Sequence, residues 1–339
     1  MSIPQSWCAL ALDPPRAWTA PTGRARLRVE PEDFVVDEIL GFAPGGTGPH
    51  GLLRVRKRNA NTEWVARELA RAAAVRPFDV GYAGLKDRRA VTSQWFTVPL
   101  GKRTADSWLG FTGEGFVVEE AHPHQRKLPR GALAGNRFAL RLREFSGDRA
   151  ASEARVAAVA AAGAPNYFGP QRFGRNLANL AAAGAGNRAM ELSAARSLIF
   201  NAVLAQRVTD DSWRTLKSGD VANLDGTNSV FLVEPLDASL TERAAALDLH
   251  PTGPMWGEGG KQPGAEVAAL EAGIVAQFEP LTARIAAARA EGARRSLRVA
   301  LRGLRCGWEG DTLCLEFELR GGSFATAVLR ELVDVGDED

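Results

Sequence analysis

Apolar and polar positions alternate with a period of two in some stretches of the chain and with a helical period in others. Val35-Val36-Asp37-Glu38-Ile39-Leu40 follows a Pro-Glu-Asp turn, and Gly51-Leu52-Leu53-Arg54-Val55-Arg56 follows a glycine-rich stretch. Both predict strands. Asn61 stands where it would cap a helix over 62–74, with Trp64, Val65, Leu69, Ala72 and Ala73 on the buried face. Strand character resumes over 78–82, 94–99 and 116–118. Over 137–143, Phe138, Leu140 and Leu142 alternate with arginines and an alanine, which predicts a sheet with one apolar and one cationic face.

The texture then changes. An alanine-rich helix is expected over 150–162, and from about 161 to 294 helical segments (177–183, 191–208, 266–272, 281–291) alternate with Gly/Pro/Asp loops. One strand-like patch, Val230-Phe231-Leu232-Val233, interrupts them. Strands return over 297–306 and 312–319, and 323–333 reads as a closing helix. The pattern predicts an α+β chain. A mixed, mainly antiparallel sheet with flanking helices would be built from 1–160 and 296–339, interrupted by a mostly helical α/β insertion over 161–295.

The 339 residues allow two domains, and 45% hydrophobic with 24% charged residues fits an ordinary globular protein. No apolar run reaches membrane-span length, and the start lacks a basic region followed by an apolar stretch. A cytoplasmic location is therefore expected. Cys8, Cys306 and Cys314 offer neither a disulfide framework nor zinc spacing, and His122 and His124 have no partner ligands, so no metal is expected.

A net charge of +2 hides an asymmetry: residues 50–145 hold 18 Lys plus Arg against 9 Asp plus Glu. Arg126, Lys127, Arg130, Arg137, Arg141 and Arg143 follow one another without an acidic residue, and Arg54, Arg56, Lys57 and Arg58 form another cluster. Arginine outnumbers lysine 36 to 6, and its planar fork suits phosphate and base edges. Nucleic acid is the partner this placement points to.

Within that region lies Gly81-Tyr82-Ala83-Gly84-Leu85-Lys86-Asp87-Arg88-Arg89-Ala90-Val91-Thr92-Ser93-Gln94. A lone carboxylate, Asp87, sits among three cations in a loop between strand-like flanks. The local composition fits either a reactive site or a solvated turn. The whole stretch resembles the signature of the TruD family of tRNA pseudouridine synthases. Four further motifs follow the family order: Glu30-Pro31-Glu32-Asp33-Phe34-Val35-Val36, Gly131-Ala132-Leu133-Ala134-Gly135-Asn136-Arg137-Phe138, Pro165-Asn166-Tyr167-Phe168-Gly169-Pro170-Gln171-Arg172-Phe173-Gly174 and Gly322-Ser323-Phe324-Ala325-Thr326. His250-Pro251-Thr252-Gly253 is a weaker sixth.

The resemblance implies a pseudouridine-synthase sheet domain with a family-specific insertion. It also implies isomerisation of a uridine in tRNA, at uridine 13 of the D-arm in bacterial members, without metal or nucleotide cofactor. It puts the essential carboxylate on Asp87, which would attack the sugar, attack the base or remove a proton. Phe138 and Phe324 would stack on the base, and Phe34 would form a pocket wall or core. Asn136 would bond uracil, orient the loop or simply make a turn. Arg28 stands where the family more often has lysine, and either Arg28 or Lys86 would pair with Asp87. Arg172 would contact phosphate or brace the insertion. The competing reading is a non-catalytic RNA-binding or tRNA-folding factor on the same fold. A metabolic enzyme with a phosphate loop is disfavoured, because no Walker A pattern and no Gly-x-Gly-x-x-Gly between a strand and a helix supports it.

Overall fold

The computed structural model describes residues 3–18, 20–181 and 188–336. The chain is α+β and folds into two compact units, one of residues 23–156, 302–322 and 334–339, the other of 1–22, 157–301 and 323–333.

The first unit is built on a ten-stranded sheet. Its order is Arg302–Glu309, Thr312–Arg320, Gly135–Gly147, Phe34–Ile39, Val91–Pro99, His50–Arg58, Phe116–His124 and Thr112–Gly113. Gly23–Arg26 adds to Gly135–Gly147, and Gly81–Tyr82 to Val91–Pro99. All its pairs are antiparallel except Phe34–Ile39 with Val91–Pro99, where Val35 faces Val91. The helix Thr62–Ala73 packs Val65, Ala66, Leu69 and Ala70 into a core with Leu53, Val55, Phe96 and Val98. It ends at Ala74, whose left-handed φ of 55° stops it. Asn61 is the residue before this helix, but its side chain makes no capping bond.

Two expectations need correction here. Residues 78–82 are not one strand: Pro77–Asp79 is a 3-10 turn, closed by Asp79 accepting from the Arg76 backbone N–H at 3.2 Å, and only Gly81–Tyr82 pairs. Nor is the polar face around 137–143 an open cationic one. Arg137 pairs with Glu318 (2.7 Å), Arg141 with Glu309 (2.6 Å) and Arg143 with Asp33 (2.8 Å), because neighbouring strands and the turn at 30–33 supply carboxylates.

In the second unit the long helix Arg188–Thr209 buries Leu198, Phe200 and Leu204 among Tyr167, Phe173, Trp213 and Phe278. A four-stranded antiparallel sheet runs in the order Val230–Leu232, Val221–Leu224, Leu249–Met255, Ala293–Ser296. Arg207 and Asp220 form a buried ion pair at 2.7 Å. Much of both chain ends packs in this unit. Trp7 of the helix Gln5–Leu12 stacks on Phe278 at 5.3 Å, and Asn201 Nδ2 donates to the Leu10 carbonyl. The helix expected over 177–183 is present as Ala178–Ala181; residues 182 and 183 lie outside the described residues. Among the described residues no helix is long and apolar enough to cross a membrane.

Candidate active site

The 83–90 loop enters the strand Val91–Pro99 beside Phe34–Ile39, so its main chain is anchored by groups projecting from the sheet and the adjoining helix. Gln94 Nε2 donates to the Gly84 carbonyl (2.5 Å), and the Thr62 hydroxyl donates to Gln94 Oε1 (3.0 Å). The same hydroxyl accepts from the Lys86 backbone N–H at 3.0 Å. Beneath this relay Glu38 accepts from the Trp95 N–H at 3.2 Å and pairs with the Lys86 ammonium. Both side chains of that pair are dry, 0% exposed for Glu38 and 8% for Lys86.

Lys86 is thereby committed to Glu38, and the partner of Asp87 is Arg28. The Arg28 guanidinium lies 3.4 Å from the Asp87 carboxylate, whose side chain is 56% exposed. That guanidinium also lies 4.0 Å above the Phe34 ring, a cation–π contact of about 1–2 kcal/mol when partly desolvated. The Arg28 backbone has a left-handed φ of 57°, sparsely populated for a non-glycine residue, and its carbonyl accepts from Arg89 at 3.4 Å. Such strain clusters where surrounding structure over-determines a residue. Here a guanidinium, a ring and a carboxylate hold one side chain in place.

Phe34 meets Phe138 edge-on at 6.1 Å, and Phe138 stacks on Phe317 at 5.2 Å. Phe138 is 6% exposed, so it forms a floor to this corner rather than a free platform. Asn136 faces Glu38 across the strand pair, and its Oδ1 is buried without a hydrogen-bond partner among the described residues. An orphaned buried acceptor in a native fold calls for an explanation such as a ligand donor. Beside Arg28 and Arg89, Arg24 and Arg26 line a cavity of about 410 Å³, paired with Asp334 at 3.2 Å and with Glu144 at 2.9 Å respectively.

Lys57 and Glu38 are the residues that sequence reasoning missed. Lys57 is 0% exposed, and its ammonium donates to the Ala60 carbonyl (2.8 Å) and the Asp87 carbonyl (2.9 Å). Burial pushes its pKa down to about 8, against the pull of Asp87 and aided by repulsion from Lys86. The signal was present. Leu53, Val55 and Lys57 share the inward face of His50–Arg58, as Phe34, Val36 and Glu38 share that of Phe34–Ile39.

Arg28, Phe34, Lys86, Asp87, Asn136 and Phe138 thus fall in one unit. Phe324 and Arg172 fall in the other, where they meet each other. The Arg172 guanidinium lies 5.2 Å from the Phe168 ring and 5.8 Å from Phe324, with Arg295 4.1 Å over Phe168. Burial lowers the Arg172 pKa; burial and the Arg172 charge bring that of Arg295 to about 9.

A family model for tRNA pseudouridine synthase D (TruD) matches residues 16–185 and 187–332. The chain belongs to the TruD family. It is 45% identical over 334 residues to the tRNA pseudouridine synthase D of Methylococcus capsulatus, covering 95% of this chain and 94% of that protein. It is 46% identical over 333 residues to the protein of the same name from Chromohalobacter salexigens, covering 94% and 95%. A solved Methanosarcina mazei chain assigned to TruD matches 98% of each chain with a TM-score of 0.72. At 18% identity that likeness speaks for a TruD-like fold alone.

Proposed function

We propose that this tRNA pseudouridine synthase isomerises uridine 13 in the D-arm of tRNA, with the ten-stranded unit as its catalytic unit and Asp87 as the essential group. The reaction breaks the C1′–N1 bond and forms C1′–C5. The C5 proton leaves and N1 gains one, so atoms balance without a co-reactant. Cleavage builds positive charge at the anomeric carbon, and a carboxylate beside it can trap or stabilise that charge. The observation carrying this reading is the half-exposed Asp87 carboxylate, fixed through its main chain by Lys57 and through its side chain by Arg28 alone among the described ion pairs.

The target base must leave its stack, at a cost of roughly a few kcal/mol. Arg28 over Phe34, with Phe138 behind, gives the extruded base a firm wall. The orphaned Asn136 acceptor suits the N3–H of uracil. Phe324 and Arg172 contribute a ring and a cation to the same RNA, and arginines along the 410 Å³ cavity face its phosphates. A binding-only protein would gain nothing from an anion at the tip of a basic loop. Asp87→Asn will form no pseudouridine in a carbodiimide primer-extension assay while tRNA affinity stays within about threefold. Near-normal product formation by this variant would refute the assignment.

A further inference from the structure

Phe78 is 79% exposed, more than any other large hydrophobic side chain with notable exposure among the described residues. It is not there through looseness. Pro77 fixes the entry to its turn and Asp79 closes it on Arg76, by the backbone bond and a 3.2 Å ion pair, so the ring is presented by a rigid corner. The Lys127 ammonium stands 4.1 Å over that ring and donates to the Phe78 carbonyl. Behind it a cavity of about 600 Å³ opens, walled by Glu63, Arg67, Phe78, Tyr82, Lys127 and Arg130. The Arg130 guanidinium lies 3.7 Å over Tyr82. Gly81 lets the floor close: a Cβ there would meet Thr97 Oγ1 at 2.4 Å and the Leu128 carbonyl at 2.7 Å.

The charges of this cavity differ from those of the paired arginines on the strands of the sheet. Arg54, Arg58, Arg137, Arg141 and Arg143 each have a carboxylate partner. Arg67, Lys127 and Arg130 have none within 4.0 Å among the described residues, and one carboxylate, Glu63, shares their wall. Cations against aromatic rings, one of those rings largely exposed, are what a stacked base and its phosphate require. The wall is also tied to the catalytic loop: the Gly131 N–H donates to the Ala83 carbonyl at 2.7 Å. Asp87 is five steps along the chain from Tyr82, so the two Cα atoms lie within about 18 Å by chain length alone.

We propose that this cavity is a second RNA subsite, taking one unpaired nucleotide of the substrate with its base on Phe78 and its phosphate on Lys127, Arg130 and Arg67. It rests on the reading of the chain as a tRNA-modifying enzyme. It assigns the anchoring of the RNA to a place other than the reacting base.

The test uses the full chain and unmodified tRNA transcript, with affinity measured by fluorescence anisotropy across a salt series and turnover measured alongside. Phe78→Ala is expected to weaken tRNA binding about tenfold, the loss falling on KM rather than kcat, and Phe78→Trp to restore it. Arg130→Ala is expected to flatten the slope of log affinity against log salt by about one phosphate, near 0.7–0.9. Because Phe78 projects into solvent, its removal leaves the core intact, and an unchanged melting temperature checks this. Affinity and salt slope equal to wild type in both variants would overturn the proposal and leave the cavity to a non-RNA partner. A wild-type protein that binds tRNA but makes no pseudouridine would instead fail the functional reading while leaving the subsite measurement intact.

Discussion

The base of the 83–90 loop and its tip carry two ion pairs of opposite character. At the base, Glu38 and Lys86 are dry, closely paired and backed by a backbone N–H. At the tip, Asp87 is half in solvent and touches Arg28 at 3.4 Å. A buried pair resists change because losing one partner strands the other in a poor solvent. An exposed carboxylate with one adjustable partner keeps oxygen lone pairs for a substrate. Adjacent residues in sequence therefore differ in kind, Lys86 holding the loop from within and Asp87 standing open at its tip.

Breaking the base should cost the most stability. Glu38→Ala leaves the Lys86 ammonium buried without its counter-ion and is expected to lose about 3–5 kcal/mol in urea unfolding. Replacing both residues by leucine and methionine should recover most of that loss, and a double variant as unstable as the single would show that the pair is not the support. At the tip the effect moves to rate. Arg28→Ala is expected to lower kcat about 100-fold by removing the cation that pairs with Asp87, while the lost contact with Phe34 costs about 1–2 kcal/mol of stability, less than the loss at the base. Equal losses in stability and rate would erase the distinction between the two regions.

Lys57 lies between them and gives the comparison a pH dependence. Its folded pKa, about 8, is below the ordinary lysine value of 10.5. Below pH 8 both folded and unfolded states carry the charge, and the folded state bears its burial. As pH rises through 8 toward 10 the folded state loses its proton first, so stability should rise, by up to about 3 kcal/mol. Activity should fall over the same range, because the two carbonyl contacts lose their charge assistance. Lys57→Met should abolish the stability rise, which paired denaturation and turnover curves from pH 7 to 10 would reveal. The smallest effect is expected on the paired outer face: Arg141→Ala should cost less than about 1 kcal/mol and change tRNA affinity less than twofold.

Strand alternation made most of the sheet legible. The run 137–143 is the centre of a longer strand, Gly135–Gly147, and 312–319 is almost the whole of Thr312–Arg320. The same rule carries Lys57 and Glu38 inward, but a buried charge reads as surface unless its partner is known. Those partners come from 30 residues away, at the Asp87 carbonyl, and 48 away, at Lys86. Local sequence alone could not decide between Arg28 and Lys86 for Asp87, because Lys86 is the neighbour in the chain while Glu38 claims it in space. Residues 78–82 misread as a strand because Pro77 and Asp79 build a turn that holds an apolar ring outward. The packing of Gln5–Leu12 on Arg188–Thr209 depends on contacts spanning much of the chain, which periodicity does not encode.

Thr62 ties these observations to a single oxygen. Its hydrogen is spoken for by Gln94 Oε1 and a lone pair by the Lys86 amide, so the hydroxyl has one usable orientation. Valine would match its outline and still leave two polar groups stranded in the interior. The placement of the carboxylate thus depends, three links away, on where one proton points at the start of a neighbouring helix.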